Sequence, residues 1–504
     1  MSSVSRMTFQ ADAVRYGEGR VIYSFEATFD GALPEVLMLL DGAWVRGEGP
    51  AQPVLDKYRL EPIAQLRASS PEQIGRMIAA ADAAFAADRL TPYERGAILD
   101  RVADAMAARS DAFLSVMQAE TGYTTADCLR EISRSVQTLR LSAEEARRLC
   151  GEVLPVAGAP GQGRRVAFTL RVPLGVVLAV TPFNAPLNTV IHKIAPALAA
   201  GNTVVLKPAS HTPRTACLLA ALFAEAGLPK AYLQVFYGSG DAVSAAMSDP
   251  RVRYIAFTGS TEVGRLIQAQ AGLRRTQMEL GSIAFTVVEP DADLDTALPK
   301  IVEAGYRKAG QVCTSVQILL VHEDVKAEVE RRMAALVAGL RYGDPRAEGC
   351  MTGPLITLRD AERVEAWISE AVERGARLLA GGTRDDAVVA PTLLADVSAE
   401  MKVGCREVFG PVVCIEAYRD FEAAIARVNA TPYGLATGLF TKRLDLAFAA
   451  ARRLQVGGVH VNETSSSRVD LMPYGGSKDS GFGREGPYYA MREMTEERVV
   501  SFTA

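Results

Sequence analysis

Short apolar runs that alternate with amphipathic segments are the feature that most restricts how this chain can fold. "GVVLAVTP" is followed by "APLNTVIHKIAPALAAG", "NTVVLKPA" by "TPRTACLLAALFAEAG", and "YIAFTG" by "STEVGRLIQAQAG". Continuous apolar strands separated by helices indicate βαβ units and a parallel sheet that is buried on both faces. A second alternating region runs from about residue 279 to 475, and 504 residues are too many for one compact core. The sequence therefore predicts an α/β protein of two or three domains.

Two long helices are predicted before these units. In "SSPEQIGRMIAAADAAFAADRL", Ser70 caps the helix, Pro71 suits its first position, and Gln73 completes a capping box. The predicted inner face of this helix consists of Ile74, Met77, Ile78, Ala81 and Phe85. The second helix covers broadly residues 125 to 150. Gly and Pro then interrupt the pattern in "GEVLPVAGAPGQGRRVAFTLRVP", whose short β-rich segments predict a projecting hairpin.

Composition and charge narrow the class of protein. A net charge of -4 and a pI near 5.8 give no electrostatic reason to expect nucleic acid or an anionic membrane as a partner. The sequence contains no apolar run of the roughly 20 residues that span a bilayer, and its first 20 residues lack the pattern of a secretory signal. The seven cysteines are scattered, and none lies in a CxxC pair, which predicts neither a disulfide framework nor a metal site. The expected compartment is the cytoplasm.

Polar residues follow three of the predicted strands, at "TPFN" (181–184), "KPAS" (207–210) and "FTGSTEVG" (257–264). Parallel sheets bind ligands at the carboxyl ends of their strands, where helix N-termini present unpaired amides. In the third segment, Gly259 and Gly264 bracket a strand-to-helix turn whose amides are placed to hold a phosphate. The spacing is not GxGxxG, and glycines at strand ends more often serve only to make turns. A nucleotide site is one interpretation of these residues, and turn formation is the other.

A single cysteine, Cys313, lies in "KAGQVCTS" between a glycine turn and two hydroxyl side chains. A cysteine in a reducing compartment is usually a small buried apolar residue, so Cys313 by itself does not indicate catalysis.

Seven collinear segments give this cysteine a context. In order and at their spacing, they resemble the aldehyde dehydrogenase superfamily, and they read "TPFNAPLNTVIHKIAPALAAGNTVVLKPAS", "FTGSTEVG", "MELGS", "AGQVCTS", "EVFGPV", "TPYGLATGLF" and "MPYGGSKDSGFGREG". The resemblance implies a Rossmann-like cofactor domain, a catalytic domain and a β-hairpin extension through which dimers or tetramers form. The implied divisions are the cofactor domain at 37–150 and 173–278, the catalytic domain at 279–480, and the oligomerisation element at 151–172 and 481–504. The role of residues 1–36 is left open.

The resemblance also implies catalytic roles. Cys313 matches the nucleophile, whose thiolate adds to an aldehyde carbonyl. Asn184 matches the side-chain donor to the developing oxyanion, beside the Cys313 backbone amide. Glu279 matches the general base that activates water for hydrolysis of the thioester, which favours a free acid over a coenzyme A ester as product. Ser282 stands where the family usually has glycine.

The implied cofactor is NAD or NADP. Lys207 matches a lysine that hydrogen-bonds the adenosine ribose, Glu407 a residue that holds the nicotinamide ribose, and Phe409 one that packs beside the nicotinamide. Ser260 matches a pyrophosphate contact. Ser210 stands where NAD-specific members often carry glutamate, so acceptance of NADP is expected. The other expected cofactor-binding residues are Thr181, Pro182, Phe183, Gly259, Gly264 and Gly281.

The substrate is less clearly encoded. Ala185 stands where many members have an aromatic residue, which implies a wide tunnel and favours a bulky or aromatic aldehyde. Arg468 lies in the loop that contributes to the family's substrate mouth, Arg307 lies six residues before Cys313, and Arg134 lies on a helix that flanks the entrance. Each is either a solvated or structural arginine or a group that binds a carboxylate, phosphate or sulfonate on the aldehyde, and Arg468 is the first candidate to test. A small anionic semialdehyde or hydroxyaldehyde is the leading hypothesis. A bulky aldehyde and a cofactor-independent thiol esterase are the alternatives.

Overall fold

The fold is described from a computed structural model of the chain. The description covers residues 14–16, 20–22, 25–28, 33–87 and 90–503. Most of the N-terminal segment whose role the sequence left open lies outside these residues. Its described part includes Glu35–Val36, which runs parallel to Pro62–Arg67 in a four-stranded sheet. The other strands of that sheet are Glu26–Ala27 and Ala51–Leu55.

The first domain is built on a mixed sheet of eight strands within the described residues. Their spatial order is Gly481–Phe482, Arg275–Glu279, Val252–Thr258, Val176–Val180, Thr203–Lys207, Leu233–Val235, Met38–Leu40 and Ala43–Val45. The five central strands are parallel, Gly481–Phe482 and Met38–Leu40 are antiparallel to them, and Ala43–Val45 is antiparallel to Met38–Leu40. All five residues of Val176–Val180 are buried, because helices cover both faces of a parallel sheet. The alternation read from the sequence is confirmed here.

The helices of this domain are Pro71–Ala86, Pro92–Ala108, Ser110–Thr121, Thr125–Arg148, Asn188–Ala200, Pro213–Glu225, Gly240–Ser248, Thr261–Ala271 and Pro487–Glu493. The predicted cap of the first helix is confirmed, since Ser70 accepts a hydrogen bond from the Gln73 amide and the reciprocal bond is also present. Four of the five predicted inner-face residues of that helix are buried, and Phe85 is half-buried.

The second domain is built on a seven-stranded sheet. Its described strands, in spatial order, are Arg377–Ala380, Thr392–Ala395, Val412–Tyr418, Val316–His322, Ala284–Val288, Ala436–Phe440 and Gly458–Val461. All are parallel except the first, which is antiparallel to its neighbour. The helices of this domain are Leu294–Tyr306, Glu323–Ala338, Leu358–Glu373, Lys402–Cys405, Phe421–Asn429 and Leu444–Arg453. Short 3₁₀ turns are present at Val156–Gly158, Arg307–Gly310 and Lys478–Ser480.

A separate three-stranded antiparallel sheet joins distant parts of the chain, in the order Thr495–Thr503, Arg165–Pro173, Val153–Leu154. The segment 481–504 is therefore divided. Its last strand belongs to this sheet, whereas Gly481–Phe482 extends the first sheet and Met491 and Met494 enter the core of the first domain. Minor two-stranded pairs complete the described strands and consist of Val14–Tyr16 with Arg20–Ile22, Arg341–Tyr342 with Cys350–Thr352, and Arg384–Asp385 with Val388–Val389.

Strand register brings the polar segments together. Val180 lies beside Lys207 on one side and Phe257 on the other, and Thr258 lies beside Glu279. The carboxyl ends of four parallel strands therefore share one edge of the first sheet. In the second sheet, Cys313 comes just before the amino end of Val316–His322. Among the residues described, no helix is long and apolar enough to cross a membrane.

Candidate active site

One cavity of about 1070 Å³ connects the polar edge of the first sheet with Cys313. The predicted site residues that line it are Cys313, Glu279, Asn184, Lys207, Ser210, Ser260, Glu407, Phe409, Thr181, Pro182, Phe183, Gly259, Gly281, Arg468, Ala185, Arg307 and Arg134. Gly264 does not line this cavity. A Cβ at Gly264 would lie 2.4 Å from Leu280 Cδ2, so this glycine allows close packing of its helix and not a ligand contact. Its expected role in cofactor binding is not supported.

Cys313 is presented by a tight backbone turn. Lys308 and Ala309 have φ of 52° and 54°, in the left-handed region, and Gly310 follows at 68°. A Cβ at Gly310 would lie 2.0 Å from the Gly410 carbonyl oxygen, so no larger side chain fits there. Non-glycine residues adopt this conformation only when their surroundings hold them in it, and such residues concentrate at functional sites.

The thiol of Cys313 has one hydrogen-bond partner in the described part of the chain. Its Sγ lies 2.9 Å from the hydroxyl of Tyr474. Burial raises the pKa of the thiol to about 11, and the hydrogen bond from Tyr474 opposes this effect. The negative charges of Glu407 and Glu279 raise the pKa further, whereas Arg468 lowers it. Tyr474 was not identified from the sequence, although it lies in the quoted segment "MPYGG".

Glu279 is the last residue of its strand and is 3% exposed. Neither carboxylate oxygen has a hydrogen-bond partner in the described structure. Burial, followed by the negative charge of Glu485, raises the pKa of Glu279 well above its ordinary value. Gly475 makes room for it, since a Cβ there would lie 2.9 Å from Glu279 Oε1. An unpaired carboxylate with a raised pKa, lining the same cavity as a thiol, is suited to accept a proton from water.

Asn184 lies in the loop that follows Val176–Val180, and its side-chain amide has no partner among the described residues. Its backbone carbonyl accepts a hydrogen bond of 3.0 Å from Lys308 Nζ. The buried Lys308 ammonium also forms an ion pair with Glu131. Glu131 in turn accepts hydrogen bonds from the backbone amides of Leu187 and Asn188, at 2.9 and 3.1 Å. The Cys313 turn is thus joined to the Asn184 loop by the Lys308 hydrogen bond, and Glu131 connects both to the helix Thr125–Arg148.

The far side of the cavity has the properties of a dinucleotide site. Lys207 forms no ion pair within the described structure, and burial lowers its pKa to about 8, so its ammonium remains charged at neutral pH. Ser210 and His211 line the cavity beside it. Ser260 caps the helix Thr261–Ala271, whose N-terminus faces the cavity. An uncompensated cation and a helix N-terminus both attract phosphate groups.

Glu407 lies between this region and Cys313. One of its oxygens accepts a 2.9 Å hydrogen bond from the Ser282 amide, and burial raises its pKa to about 7. Gly281 packs against its other oxygen, since a Cβ there would lie 2.8 Å away. Phe409, with φ of 49°, meets Phe183 edge-on at 5.9 Å between ring centroids. These groups supply an acceptor for hydroxyls and an apolar wall for a flat ring.

Two of the three arginines at the mouth already have carboxylate partners. Arg468 Nη2 lies 2.9 Å from Glu485 Oε2, and its guanidinium stacks on the ring of Tyr474 at 3.9 Å. Arg134 forms a two-point ion pair with Asp470, at 2.6 and 3.2 Å. Their positive charges are largely compensated within the protein.

Arg307 differs from these two. Its Nη2 donates to Ser466 Oγ at 2.7 Å, and no carboxylate in the described chain lies within ion-pairing distance of it. Burial lowers its pKa from the ordinary value, but a guanidinium stays protonated at any physiological pH. The remaining N–H groups are available to an anion in the cavity.

Comparison with known proteins agrees with this geometry. A model of the aldehyde dehydrogenase family matches residues 44–500. The chain belongs to the aldehyde dehydrogenase family. This aldehyde dehydrogenase is an oxidoreductase that oxidises aldehydes with NAD or NADP as the acceptor. The fold predicted from the sequence, with two parallel-sheet α/β domains, is confirmed.

Named relatives share nearly the whole chain. A 3-sulfolactaldehyde dehydrogenase of Priestia aryabhattai is 45% identical over 464 residues, which cover 91% of this chain and 97% of the relative. The crystal structure of aldehyde dehydrogenase 21 from Physcomitrella patens, in complex with the reaction product succinate, has a TM-score of 0.90 and 36% identity and covers 94% of this chain and 99% of its own. The crystal structure of the glyceraldehyde-3-phosphate dehydrogenase GapN of Methanocaldococcus jannaschii, complexed with NADP, has a TM-score of 0.87 and 34% identity. The match covers 90% of this chain and 99% of that structure's chain.

Proposed function

We propose that this aldehyde dehydrogenase oxidises a small aldehyde that carries an anionic group, with Cys313 as nucleophile, Asn184 as oxyanion donor and Glu279 as general base. The observation that carries the substrate class is Arg307, an uncompensated guanidinium in the same cavity as the thiol. An arginine with free N–H groups binds carboxylate, phosphate or sulfonate through paired hydrogen bonds.

The nucleophilic step starts at Cys313. Its proton passes to solvent water, and the sulfur electron pair adds to the aldehyde carbon, so the carbonyl oxygen becomes negative. The unpaired side-chain amide of Asn184 and the backbone amide of Cys313 are the donors for that oxygen. Removing one donor of this kind typically costs on the order of 10²–10³ in rate. Because burial raises the pKa of Cys313 to about 11, the rate of this step increases with pH.

Glu279 serves the second half of the reaction. It takes a proton from water as the oxygen adds to the thioester carbon, and the sulfur leaves with its electron pair. Only the deprotonated carboxylate can do this, and its pKa is raised, so hydrolysis also becomes faster as the pH increases. Nearby Glu485 stays ionised because Lys193 and Arg468 hold its pKa below the ordinary range.

The cofactor binds at the Lys207 side of the cavity in this proposal. NAD or NADP, when bound, accepts the hydride that leaves the substrate carbon. Lys207, Ser260 and Glu407 hold its ribose and phosphate groups, and Phe409 borders the nicotinamide. Ser210 is neutral, so nothing at that position repels a 2′-phosphate, and the free Lys207 ammonium attracts one. NADP is therefore accepted.

The named relatives support an anionic substrate. Sulfolactaldehyde carries a sulfonate, glyceraldehyde 3-phosphate a phosphate, and succinate a second carboxylate. Ala185 lines the cavity without filling it, which leaves room for each of these groups. A guanidinium fork fits all three anions.

Self-association is part of the proposal. Val166 and Phe502 lie directly opposite each other in the three-stranded sheet and are each 60% exposed. Leu170 lies on the same face, at 44% exposure. An apolar sheet face of this kind is expected to be covered by a second copy of the chain, giving a homodimer or a tetramer. The proposed compartment is the reducing cytoplasm, where cysteines such as these stay free.

The test is the appearance of reduced nicotinamide when the purified protein meets a panel of aldehydes with NAD or with NADP. The panel pairs each sulfonated, phosphorylated or carboxylated aldehyde with a neutral aldehyde of the same length. We expect a kcat/KM at least tenfold higher for the anionic member of a pair. Equal values throughout the panel, or a preference for aromatic aldehydes, would refute the proposed substrate class.

A further inference from the structure

Tyr474 is a hydroxyl in direct contact with the nucleophile, and nothing in the sequence resemblance assigned it a role. Its Oη lies 2.9 Å from Cys313 Sγ. We propose that Tyr474 is a catalytic residue, which donates a hydrogen bond to the Cys313 sulfur and stabilises the thiolate that attacks the aldehyde. This inference rests on the proposed role of Cys313 as nucleophile.

The direction of the hydrogen bond follows from the chemistry of the two groups. A phenol O–H is a stronger donor than a thiol S–H, and a thiolate can only accept. The guanidinium of Arg468 lies 3.9 Å from the centre of the Tyr474 ring. A cation over the ring face draws electron density from the hydroxyl, which makes the O–H a better donor. When the thiol loses its proton, the tyrosine is therefore already oriented to stabilise the sulfur.

The backbone holds Tyr474 in this position. Tyr474 and Glu485 exchange two backbone hydrogen bonds, of 3.1 and 2.6 Å, in an isolated antiparallel bridge. The Glu485 side chain binds Arg468, so the phenol and the cation stacked on it are anchored by the same residue. Glu485 is itself fixed by Lys193, whose Nζ lies 2.9 Å from Oε1. The hydroxyl is thus held on the sulfur by a buried network and not by a mobile loop.

The other charges around the thiol make such a donor necessary. Glu407 and Glu279 face Cys313 and disfavour its anion, whereas Arg468 favours it. Burial disfavours the thiolate most strongly. Tyr474 is the side chain that opposes burial through direct contact with the sulfur.

Tyr474→Phe removes only the hydroxyl and keeps the ring on which Arg468 stacks. At any pH below the thiol pKa, losing a hydrogen bond to the charged thiolate lowers the thiolate fraction about tenfold. The thiolate of the variant, which no longer accepts this hydrogen bond, becomes about threefold more nucleophilic, because nucleophilicity rises with basicity. Alkylation of Cys313 by iodoacetamide is therefore expected to be about threefold slower in the variant from pH 6 to 10, and the difference should narrow to about twofold at pH 11, where the wild-type rate begins to level off and the variant rate does not. A purely structural role would change the rate by a factor that does not depend on pH.

The experiment measures this alkylation rate from pH 6 to 11 in the full-length enzyme without substrate, with peptide mapping to identify the modified cysteine. Tyr433→Phe is the matched control, because Tyr433 does not line the cavity, and its profile should equal that of the wild type. Superimposable profiles for Tyr474→Phe and the wild type, with Cys313 labelled in both, would overturn this inference alone. Absence of any label on wild-type Cys313, with the exposed Cys150 and Cys405 labelled, would overturn the nucleophile assignment together with it.

Discussion

Replacing Arg307 by methionine tests the basis of substrate recognition. Its guanidinium has five N–H groups, one of which is used on Ser466 at 2.7 Å, so a two-point contact with an anion remains possible. Charge-assisted hydrogen bonds contribute about 1.5–3 kcal/mol each, and because the side chain is not fully buried we expect about 2 kcal/mol for the two hydrogen bonds together. That corresponds to about a 30-fold loss of kcat/KM for an anionic aldehyde.

The assay compares steady-state kcat/KM for an anionic aldehyde and for a neutral aldehyde of equal length. The neutral substrate should lose less than about threefold, because it does not use the fork. Arg130→Met is the matched control. Arg130 is a nearby arginine that pairs with Glu303 at 2.6 Å on the surface, and its loss should change neither substrate appreciably. Equal losses for both aldehydes in Arg307→Met would refute the assignment, since they would show a structural effect. Arg468→Ala, by contrast, should lower kcat/KM for both the anionic and the neutral aldehyde, because it removes the cation stacked on Tyr474.

Three further predictions concern the remaining proposals. Glu279→Gln should leave the first turnover largely intact and stall hydrolysis, giving a single burst of reduced cofactor in stopped-flow absorbance; no burst, with both steps slowed alike, would contradict its role as base. Ser210→Glu should weaken NADP binding by at least about tenfold in titration calorimetry while leaving NAD within about threefold, because a carboxylate repels the 2′-phosphate; parallel changes would remove Ser210 as a determinant. Phe502→Asp places a charge on the exposed apolar sheet face and should shift the protein to monomers in sedimentation velocity, whereas Glu496→Gln on the same strand should not; an unchanged oligomer would exclude this face as the interface.

The predictions that succeeded from sequence rest on local chemistry or on the order of motifs. The Ser70–Gln73 capping box needs only residues three apart, and the apolar strands need only their own composition. The segments 181–184, 207–210 and 257–264 follow from the rule that ligands bind at the carboxyl ends of parallel strands, whereas Cys313, Glu407 and Phe409 were expected only from the family resemblance. The sequence did not reveal which residues that are distant along the chain form pairs in the structure. Arg134 meets Asp470 across 336 residues, and no pattern predicts that this ion pair compensates the arginine.

The same limit explains why the sequence did not predict the contact of Tyr474 with Cys313 or the direction in which Gly264 faces. The contact between Tyr474 and Cys313 joins residues 161 apart and depends on side-chain direction. The motif around Tyr474 was quoted, but an aromatic ring in a loop has many possible neighbours. Gly264 was expected near phosphate because of its spacing from Gly259, yet the helix rotates it toward Leu280. Sequence spacing gives the position along an element, whereas the facing direction comes from packing.

The ion pair between Lys308 and Glu131 has a consequence for how the enzyme can be redesigned. It holds Lys308, whose ammonium also donates to the Asn184 carbonyl, and removing one partner of a buried pair typically costs about 3–5 kcal/mol. Arg307 directly precedes Lys308 in the same turn, so the residue that recognises the substrate anion shares a backbone segment with the pair that sets the spacing between nucleophile and oxyanion donor. A protein engineer who exchanges Arg307 to admit a different aldehyde must therefore keep Lys308 and Glu131 unchanged. Changes at Lys308, by contrast, would abolish turnover for every substrate at once.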